Sequence, residues 1–378
     1  MRVLCCEYAT GGGGFEDPSL LLPDNTFLRE GAAMLRSVVA DLGRVPNVSV
    51  TVLRDRRLVD VTLPFGDVVP VGSAAEFHQR LAAESRRVDR VFLIAPECDG
   101  VLERCLREVE EAGGVPLTPT GELVRVASDK NETARCLAAA GVPIPLGMEL
   151  LGGDALPADF AYPAVLKPAD GAGSADVRLI AAWQSGRIAP RHCKRWRLER
   201  FIPGLAASIL VLAMHGRSVC FPPCWQHLSN DGCFTYRGGA TPIPAGLAAR
   251  AEALAHAAVA ALPPASGLFG LDLVLADAAN RGPVAALWKA SVSEVEVDGL
   301  RRASGAAEVR YAPGDVVVEV NPRLTTSYLG VRRLLVDNPL EALVTGQLPA
   351  SWRLSAEATV DAPIVFTAGE LGHDSQEG

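Results

Sequence analysis

The segment Asp315-Val316-Val317-Val318-Glu319-Val320-Asn321-Pro322-Arg323 carries the residue types and spacing best suited to chemistry. Its apolar valine run after the Pro313-Gly314 turn signal predicts a buried strand. Side chains alternate faces along a strand, so Glu319 and Asn321 point the same way, about 6.6 Å apart along the backbone. A carboxylate and an amide oxygen at that spacing can share one hard cation such as Mg²⁺ or Mn²⁺. Pro322 offers no N–H to a ladder and ends the strand. Arg323 then brings a fork of donors suited to phosphate or carboxylate. The plainer reading is a core strand with one polar end, but such a strand ordinarily carries a single charge.

A second strand candidate, Gly267 to Leu275, puts Phe269, Leu271, Leu273 and Leu275 on one face and Asp272 on the other. A buried acid in such apolar company needs a partner, and a cation is the natural one. The basic residues are lopsided, with 32 Arg and only four Lys among 36. A lysine kept in so Arg-biased a chain points to a need for its compact ammonium. Lys130 opens a helix after Ser128-Asp129, and Lys167 ends the strand Tyr162 to Pro168. The loop Asp170-Gly171-Ala172-Gly173-Ser174 follows and is able to fold over phosphates. No lysine follows a glycine, so the P-loop signature is absent. Two lysines, a glycine loop, an acid on one strand and Glu-x-Asn on the next describe a nucleotide site, with Arg323 placed to neutralise charge in transfer.

Further elements must position these residues. Strands at Arg2 to Tyr8, Val48 to Leu53, Arg90 to Glu97 and Val115 to Leu117 alternate with helices at Phe27 to Leu42, Ala74 to Ser85 and Val101 to Ala112. That alternation predicts a parallel α/β domain over residues 1–125, with ligands beyond the carboxyl ends of its strands. Glu7, the run Gly11, Gly12, Gly13, Gly14, and Glu97 lie there, and the glycine run reads as a loop that lets backbone N–H groups approach an anion or stays merely flexible. A lid lobe is expected over 126–203 and a core lobe over 204–350. The core lobe contains a hairpin joined at His215-Gly216, a helix from Leu247 to Leu262 and a long insertion at 276–314. Residues 351–378 read as a C-terminal extension, with a disordered tail from Gly369.

A chain of 378 residues with 49% apolar and 21% charged content describes a soluble globular protein with a sizeable core. The net charge of -8 argues against a nucleic-acid or membrane-surface partner. No stretch has the ~18 apolar residues a membrane helix needs, and the apolar run after Met1 is too short for a signal peptide. Nine scattered cysteines suit reduced thiols in a cytoplasm. Cys220, Cys224, His227 and Cys233 lack a Cys-x-x-Cys pair and are interrupted by Pro222-Pro223, a poor zinc pattern.

The ordered set Ser-Asp-Lys, Lys-Pro-x-Asp-Gly-x-Gly, Glu-Arg-Phe-Ile-x-Gly, Gly-x-Asp and Glu-Val-Asn-Pro-Arg resembles the ATP-grasp superfamily from residue 126 to about 345. The resemblance implies an α/β pre-grasp domain followed by a two-lobed α+β grasp. It implies that Lys130 and Lys167 bind nucleotide phosphates, with Gly171, Gly173 and Ser174 beside them. Glu199 and the backbone of Arg200, Phe201 and Ile202 would form the adenine hinge, and Asp272, Glu319 and Asn321 would ligate Mg²⁺. Two positions depart from the family pattern. Ala206 stands where many members have a ribose-binding Glu, and Gly270 where many have an Arg. Ser208 and Arg323 are the candidates to replace them.

A narrower resemblance, to the tyramine–glutamate ligase branch, rests on Glu7 to Gly13, Ala95 to Glu97, Asn321 to Tyr328, and Gln226 with Phe234, Tyr236, Gly238 and Gly239. It implies an ADP-forming carboxylate–amine ligase whose small-molecule acid and amine meet as an acyl phosphate and a nucleophile. L-glutamate would supply the acid and tyramine or tyrosine the amine. Glu7 and Glu97 would then receive an ammonium, the Gly11 to Gly13 backbone a carboxylate, and Tyr236 an aromatic ring. A kinase-like or carboxylating member, or an ATP-binding regulatory protein that has lost catalysis, are the alternatives, and self-association stays open.

Overall fold

A computed structural model describes residues 1–22, 25–59, 63, 66–171, 173, 176–188, 194–276 and 311–367. Most of the expected 276–314 insertion, the tail from Gly369 and the site candidate Ser174 lie outside the described residues.

Strand β1 (Arg2–Glu7) has no polar alternation because both of its faces are covered, and Val3, Leu4, Cys5 and Cys6 are fully buried. Short helix α1 (Tyr8–Gly11) follows, then α2 (Thr26–Gly43), whose first turn is capped by the Asn25 side chain. Next come β2 (Ser49–Asp55), β3 (Asp67–Val71), α3 (Ala74–Ser85), β4 (Arg90–Ile94), α4 (Val101–Glu111) and α5 (Gly121–Ala127). The sheet is wholly parallel with order β3-β2-β1-β4, so its strand order reverses between β1 and β4. That reversal opens a crevice at the carboxyl ends of those two strands. Strand β3 was not expected, since Pro70 and exposed neighbours hide its pattern at the sheet edge. The segment at Val115 is only a bridge between Val91 and Pro116, and α5 straddles the 125/126 boundary read from sequence.

Helix α6 (Lys130–Ala139) starts where the Asp129 carboxylate accepts from the Asn131 and Glu132 amides. Strands β5 (Gly147–Leu151), β6 (Ala164–Pro168), β7 (Arg178–Ile180) and β8 (Arg195–Arg200) form an antiparallel lid sheet, order β5-β8-β6-β7.

The core lobe is built on β9 (Leu205–Met214), β10 (Arg217–Cys220), β11 (Cys224–Leu228), β12 (Tyr236–Thr241), helix α7 (Ala245–Ala261), β13 (Gly267–Leu275), β14 (Val316–Asn321), α8 (Tyr328–Leu334), α9 (Pro339–Thr345) and β15 (Ile364–Phe366). Its seven strands run β14-β13-β9-β11-β12-β15, with β10 paired to β9. His215 and Gly216 both have positive φ, as the two-residue turn between β9 and β10 demands. Phe269, Leu271, Leu273 and Leu275 point into the core under α7, as the alternation of β13 requires. The segment read as a C-terminal extension is in part integral: β15 pairs β12, and Trp352 stacks on Phe221 at 4.5 Å.

Candidate active site

Strands β13 and β14 are antiparallel neighbours, and their register sets Asp272 directly opposite Glu319 and Gly270 opposite Asn321. A bulge at Val318 shifts the register beyond Glu319. The freed Val318 carbonyl accepts a hydrogen bond from Lys167 Nζ at 3.2 Å. On the other side of β13, Ser208 of β9 is paired with Asp272.

Lys167, Asp272, Val318, Glu319 and Asn321 line a cavity of about 730 Å³ between the lid sheet and the core sheet. The lid contributes Lys167, Gly171 and Gly173, and the crossover from β8 contributes Glu199, Arg200, Phe201 and Ile202. The core lobe adds Gln226, Tyr236, Asp272, Glu319, Asn321 and Arg323, and Lys130 closes one wall. Fourteen sequence candidates separated by up to 193 positions thus share one space.

The charges inside are arranged in pairs. Lys130 Nζ lies 2.7 Å from Glu319 Oε1 and also donates to the Gly171 carbonyl. Burial pulls the Lys130 ammonium down, but the Glu319 charge and hydrogen bond outweigh it and raise its pKa. Burial likewise pushes Glu319 up, yet Lys130 and Lys167 together hold it below the ordinary carboxyl value. Lys167 Nζ is 2.6 Å from Glu199 Oε1, and Arg197 Nε donates to Glu199 Oε2 at 2.8 Å. Among the described residues Asp272 has no cationic contact of this kind. Its oxygens accept from the amides of Gln226 at 2.9 Å and Asn321 at 3.2 Å. Burial, then the facing Glu319 charge, pushes its carboxyl up to about 7. Two carboxylates and an amide converging in a cavity, one of them short of positive charge, are a hard-oxygen donor set that fits Mg²⁺.

Several expected roles meet a different geometry. Glu7 does not line the cavity. It caps α1, accepting from the Ala9 and Thr10 amides and from the Thr10 hydroxyl at 2.7 Å. Burial raises its pKa in spite of those bonds. Gly11, Gly12 and Gly13 are buried and outside the cavity lining: Gly11 ends α1, Gly12 is the turn after it, and Gly13 opens a short 3-10 helix. A Cβ on Gly13 would sit 2.3 Å from the Tyr8 ring, so close packing explains that glycine. Glu97 is buried at the crevice between β1 and β4, where Arg323 Nε donates to it at 2.6 Å and Arg323 Nη2 at 3.3 Å. Its carboxylate is therefore already matched inside the protein. Ser208 is buried behind the cavity wall and shares a 2.7 Å hydrogen bond with Ser327, so it supports the lining instead of facing it. The amides of Arg200 and Phe201 donate to the Leu146 and Pro163 carbonyls, whereas the Ile202 N–H is engaged by no described residue.

Sequence reasoning missed Glu30. This residue of α2 is the single contribution of residues 1–125 to the described cavity lining. A readable signal stands beside it: Gly31, inside an otherwise good helix. A Cβ there would lie 2.4 Å from the Glu7 carboxyl group, so the glycine brings α2 against the end of β1 and its neighbour toward the crevice.

Comparison with known proteins agrees with this architecture. The ATP-grasp domain signature matches residues 127–327, and the pre ATP-grasp 3 domain signature matches residues 48–124. Among solved structures, a protein from Archaeoglobus fulgidus assigned to the ATP-grasp superfamily is 17% identical, with a TM-score of 0.62 over 97% of this chain and 98% of that one. Biotin carboxylase from Campylobacter jejuni is 14% identical, with a TM-score of 0.61 over 93% and 73%. An L-amino acid ligase from Bacillus licheniformis is 15% identical, with a TM-score of 0.55 over 94% and 78%. At these identities the likeness is one of fold. No curated protein matches the sequence. The matched grasp signature spans more than half of the chain and ends within the Thr325 to Ser327 rim of the cavity, and on that ground the chain belongs to the ATP-grasp family.

Proposed function

We propose that this protein is an ATP- and Mg²⁺-dependent carboxylate–amine ligase. The observation that carries the reading is the convergence of Lys130, Lys167, Asp272, Glu319, Asn321 and Arg323 on one cavity. Lys130 and Lys167 sit where phosphate oxygens can replace part of their present carboxylate contacts. Asp272, Glu319 and Asn321 would hold the divalent cation, which when bound supplies positive charge against the phosphates. In the first step a substrate carboxylate oxygen attacks the γ-phosphorus of ATP, and ADP leaves. In the second the amine nitrogen attacks the acyl carbon of that acyl phosphate, inorganic phosphate leaves, and the nitrogen loses a proton. Neither step needs a protein nucleophile, and the protein acts by positioning and charge neutralisation. The thiols of Cys5, Cys105 and Cys224, which are buried, and of the partly buried Cys220 have raised pKa values through burial and are poorly suited to that role.

The finer reading takes L-glutamate as the acid and tyramine or tyrosine as the amine, giving a γ-glutamyl amide. Tyr236 in the lining, with the stacked Phe201–Phe234 pair at 6.0 Å, supports an aromatic substrate or base. The test is phosphate release from ATP and Mg²⁺ with amino acids crossed against primary amines, products being weighed by mass spectrometry. An amide of glutamate with ADP formation is expected. Turnover with bicarbonate alone, or ATP hydrolysis that no acid stimulates, would overturn the ligase reading. Turnover confined to another acid would overturn the glutamate assignment alone.

A further inference from the structure

Glu30 stands out because it lines the cavity without an ion-pair partner among the described residues. No described residue hydrogen-bonds or ion-pairs with its carboxylate. The charges that act on it are Arg323 and Arg29. The Arg323 fork is already committed to both oxygens of Glu97. The Tyr236 hydroxyl stands close enough to feel both Glu30 and Asp272, with the Thr326 side chain beside it. Glu30, Tyr236 and Thr326 all line the cavity.

We propose that Glu30, together with the Tyr236 and Thr326 hydroxyls, forms the subsite that receives the amine substrate as its ammonium, the nitrogen passing one proton to the Glu30 carboxylate to free its lone pair before it attacks the acyl carbon and losing a second as the amide forms. The inference rests on the ligase reading and adds to it a substrate class, a primary amine presented as a cation.

Three physical arguments support it. An unpaired carboxylate in a desolvated cavity is costly, and it is tolerable where a ligand brings the opposite charge. Burial already pushes the Glu30 carboxyl up to about 7, against the pull of Arg323 and Arg29. A primary ammonium has three donors on a compact centre, which a carboxylate and two hydroxyl oxygens can accept together. Electrostatics also sorts the two substrates. The carboxylate to be activated is repelled by Glu30 and drawn to the lysine side, while the amine is drawn to the wall that the N-terminal domain supplies. Glu30 thereby takes the role that the sequence suggests for Glu7 and Glu97, whose carboxylates are satisfied inside the protein.

The test separates the two half-reactions in the full-length protein. Hydroxylamine, a neutral nucleophile, traps the acyl phosphate as a hydroxamate without needing an ammonium site. L-glutamate with tyramine is the first pair, and the acid and amine found in the amino-acid and amine panel replace it where that pair is silent. For Glu30→Gln the KM for the amine is expected to rise about 10- to 100-fold, the range for losing a charge-assisted hydrogen bond. The KM for the acid in hydroxamate formation should rise far less. Tyr236→Phe should raise the amine KM about 3- to 10-fold, giving a second variant that keeps the ring and the packing. Glu30→Asp should recover part of the loss. An unchanged amine KM in Glu30→Gln and Tyr236→Phe overturns the subsite, as does a rise confined to the KM for the acid. A wild-type protein that makes no ATP-dependent hydroxamate from any acid overturns the ligase reading itself, and the subsite falls with it.

Discussion

Asp272 and Glu319 face each other across adjacent antiparallel strands, but only Glu319 is paired with a lysine. The asymmetry raises the Asp272 carboxyl to about 7 in the ligand-free protein, while the lysines hold Glu319 below the ordinary carboxyl value. Asp272→Asn removes the charge repulsion and keeps the shape. It should leave the melting temperature unchanged or higher while lowering Mg²⁺-dependent ADP release by about 100-fold or more. Glu319→Gln should lower release as strongly and also cost stability, because it leaves the buried Lys130 ammonium without its counter-charge. A coupled ADP assay beside a thermal melt separates these outcomes. Near wild-type release in both variants would remove the metal assignment.

Lys167 should show a different signature. Its ammonium sits between Glu199 and the Val318 carbonyl. Lys167→Ala is expected to weaken ATP binding about tenfold or more by calorimetry, and Lys167→Arg to restore little, since a planar fork does not replace a compact ammonium. Glu199 keeps Arg197 as a partner, so the stability cost should stay near ~1–3 kcal/mol. Equal ATP affinity in all three proteins would make Lys167 a structural counter-ion.

The two domains are joined by Asp41. The carboxylate of this α2 residue accepts from the Tyr328 hydroxyl at 2.6 Å and from Arg332 Nε and Nη2 at 2.7 and 2.6 Å. Asp41→Ala should destabilise by ~3–5 kcal/mol, because it strands an arginine and a buried hydroxyl. Tyr328→Phe should cost only ~1 kcal/mol. Urea unfolding curves read both values, and a near-neutral Asp41→Ala would show that the junction is held by apolar packing alone.

Glu30 makes a pH prediction with a definite sign. Its carboxyl is raised from 4.5 to about 7 in the folded protein, so the folded state binds the extra proton between those values. The stability it contributes is complete below its unfolded pKa and is lost as pH rises through about 7. The melting temperature of the ligand-free wild type should therefore fall more steeply from pH 5 to pH 8 than that of Glu30→Gln. Parallel slopes would show that Glu30 ionises normally.

Gly270 explains one family departure. A Cβ there would lie 2.6 Å from the Thr325 side chain, so the space that another residue would enter is already filled. Gly270→Arg should destabilise by ~1–3 kcal/mol and give no gain in turnover. A more active Gly270→Arg variant would show that Arg323 does not serve in its place.

Local periodicity made much of the architecture legible. The alternation of β13 put Asp272 opposite its apolar neighbours, and Glu-x-Asn put Glu319 and Asn321 on one side of β14. The strand–helix alternation of the first half specified a parallel sheet, because parallel neighbours need a crossover. These features depend on residues a few positions apart, and backbone geometry fixes them. Pairing across the chain does not obey such a period. Lys130 meets Glu319 and Arg323 meets Glu97 only because the lobes close on one another. The bulge at Val318, the capping duty of Glu7 and the packing duty of Gly13 likewise follow from neighbours far away or from atoms in tight contact. Sequence alone thus determined which residue types could do chemistry and on which element each would stand. The tertiary structure decided which carboxylates are ion-paired and that Glu30 lines the cavity with no ion pair among the described residues, since the cost of a buried charge depends on what surrounds it in space.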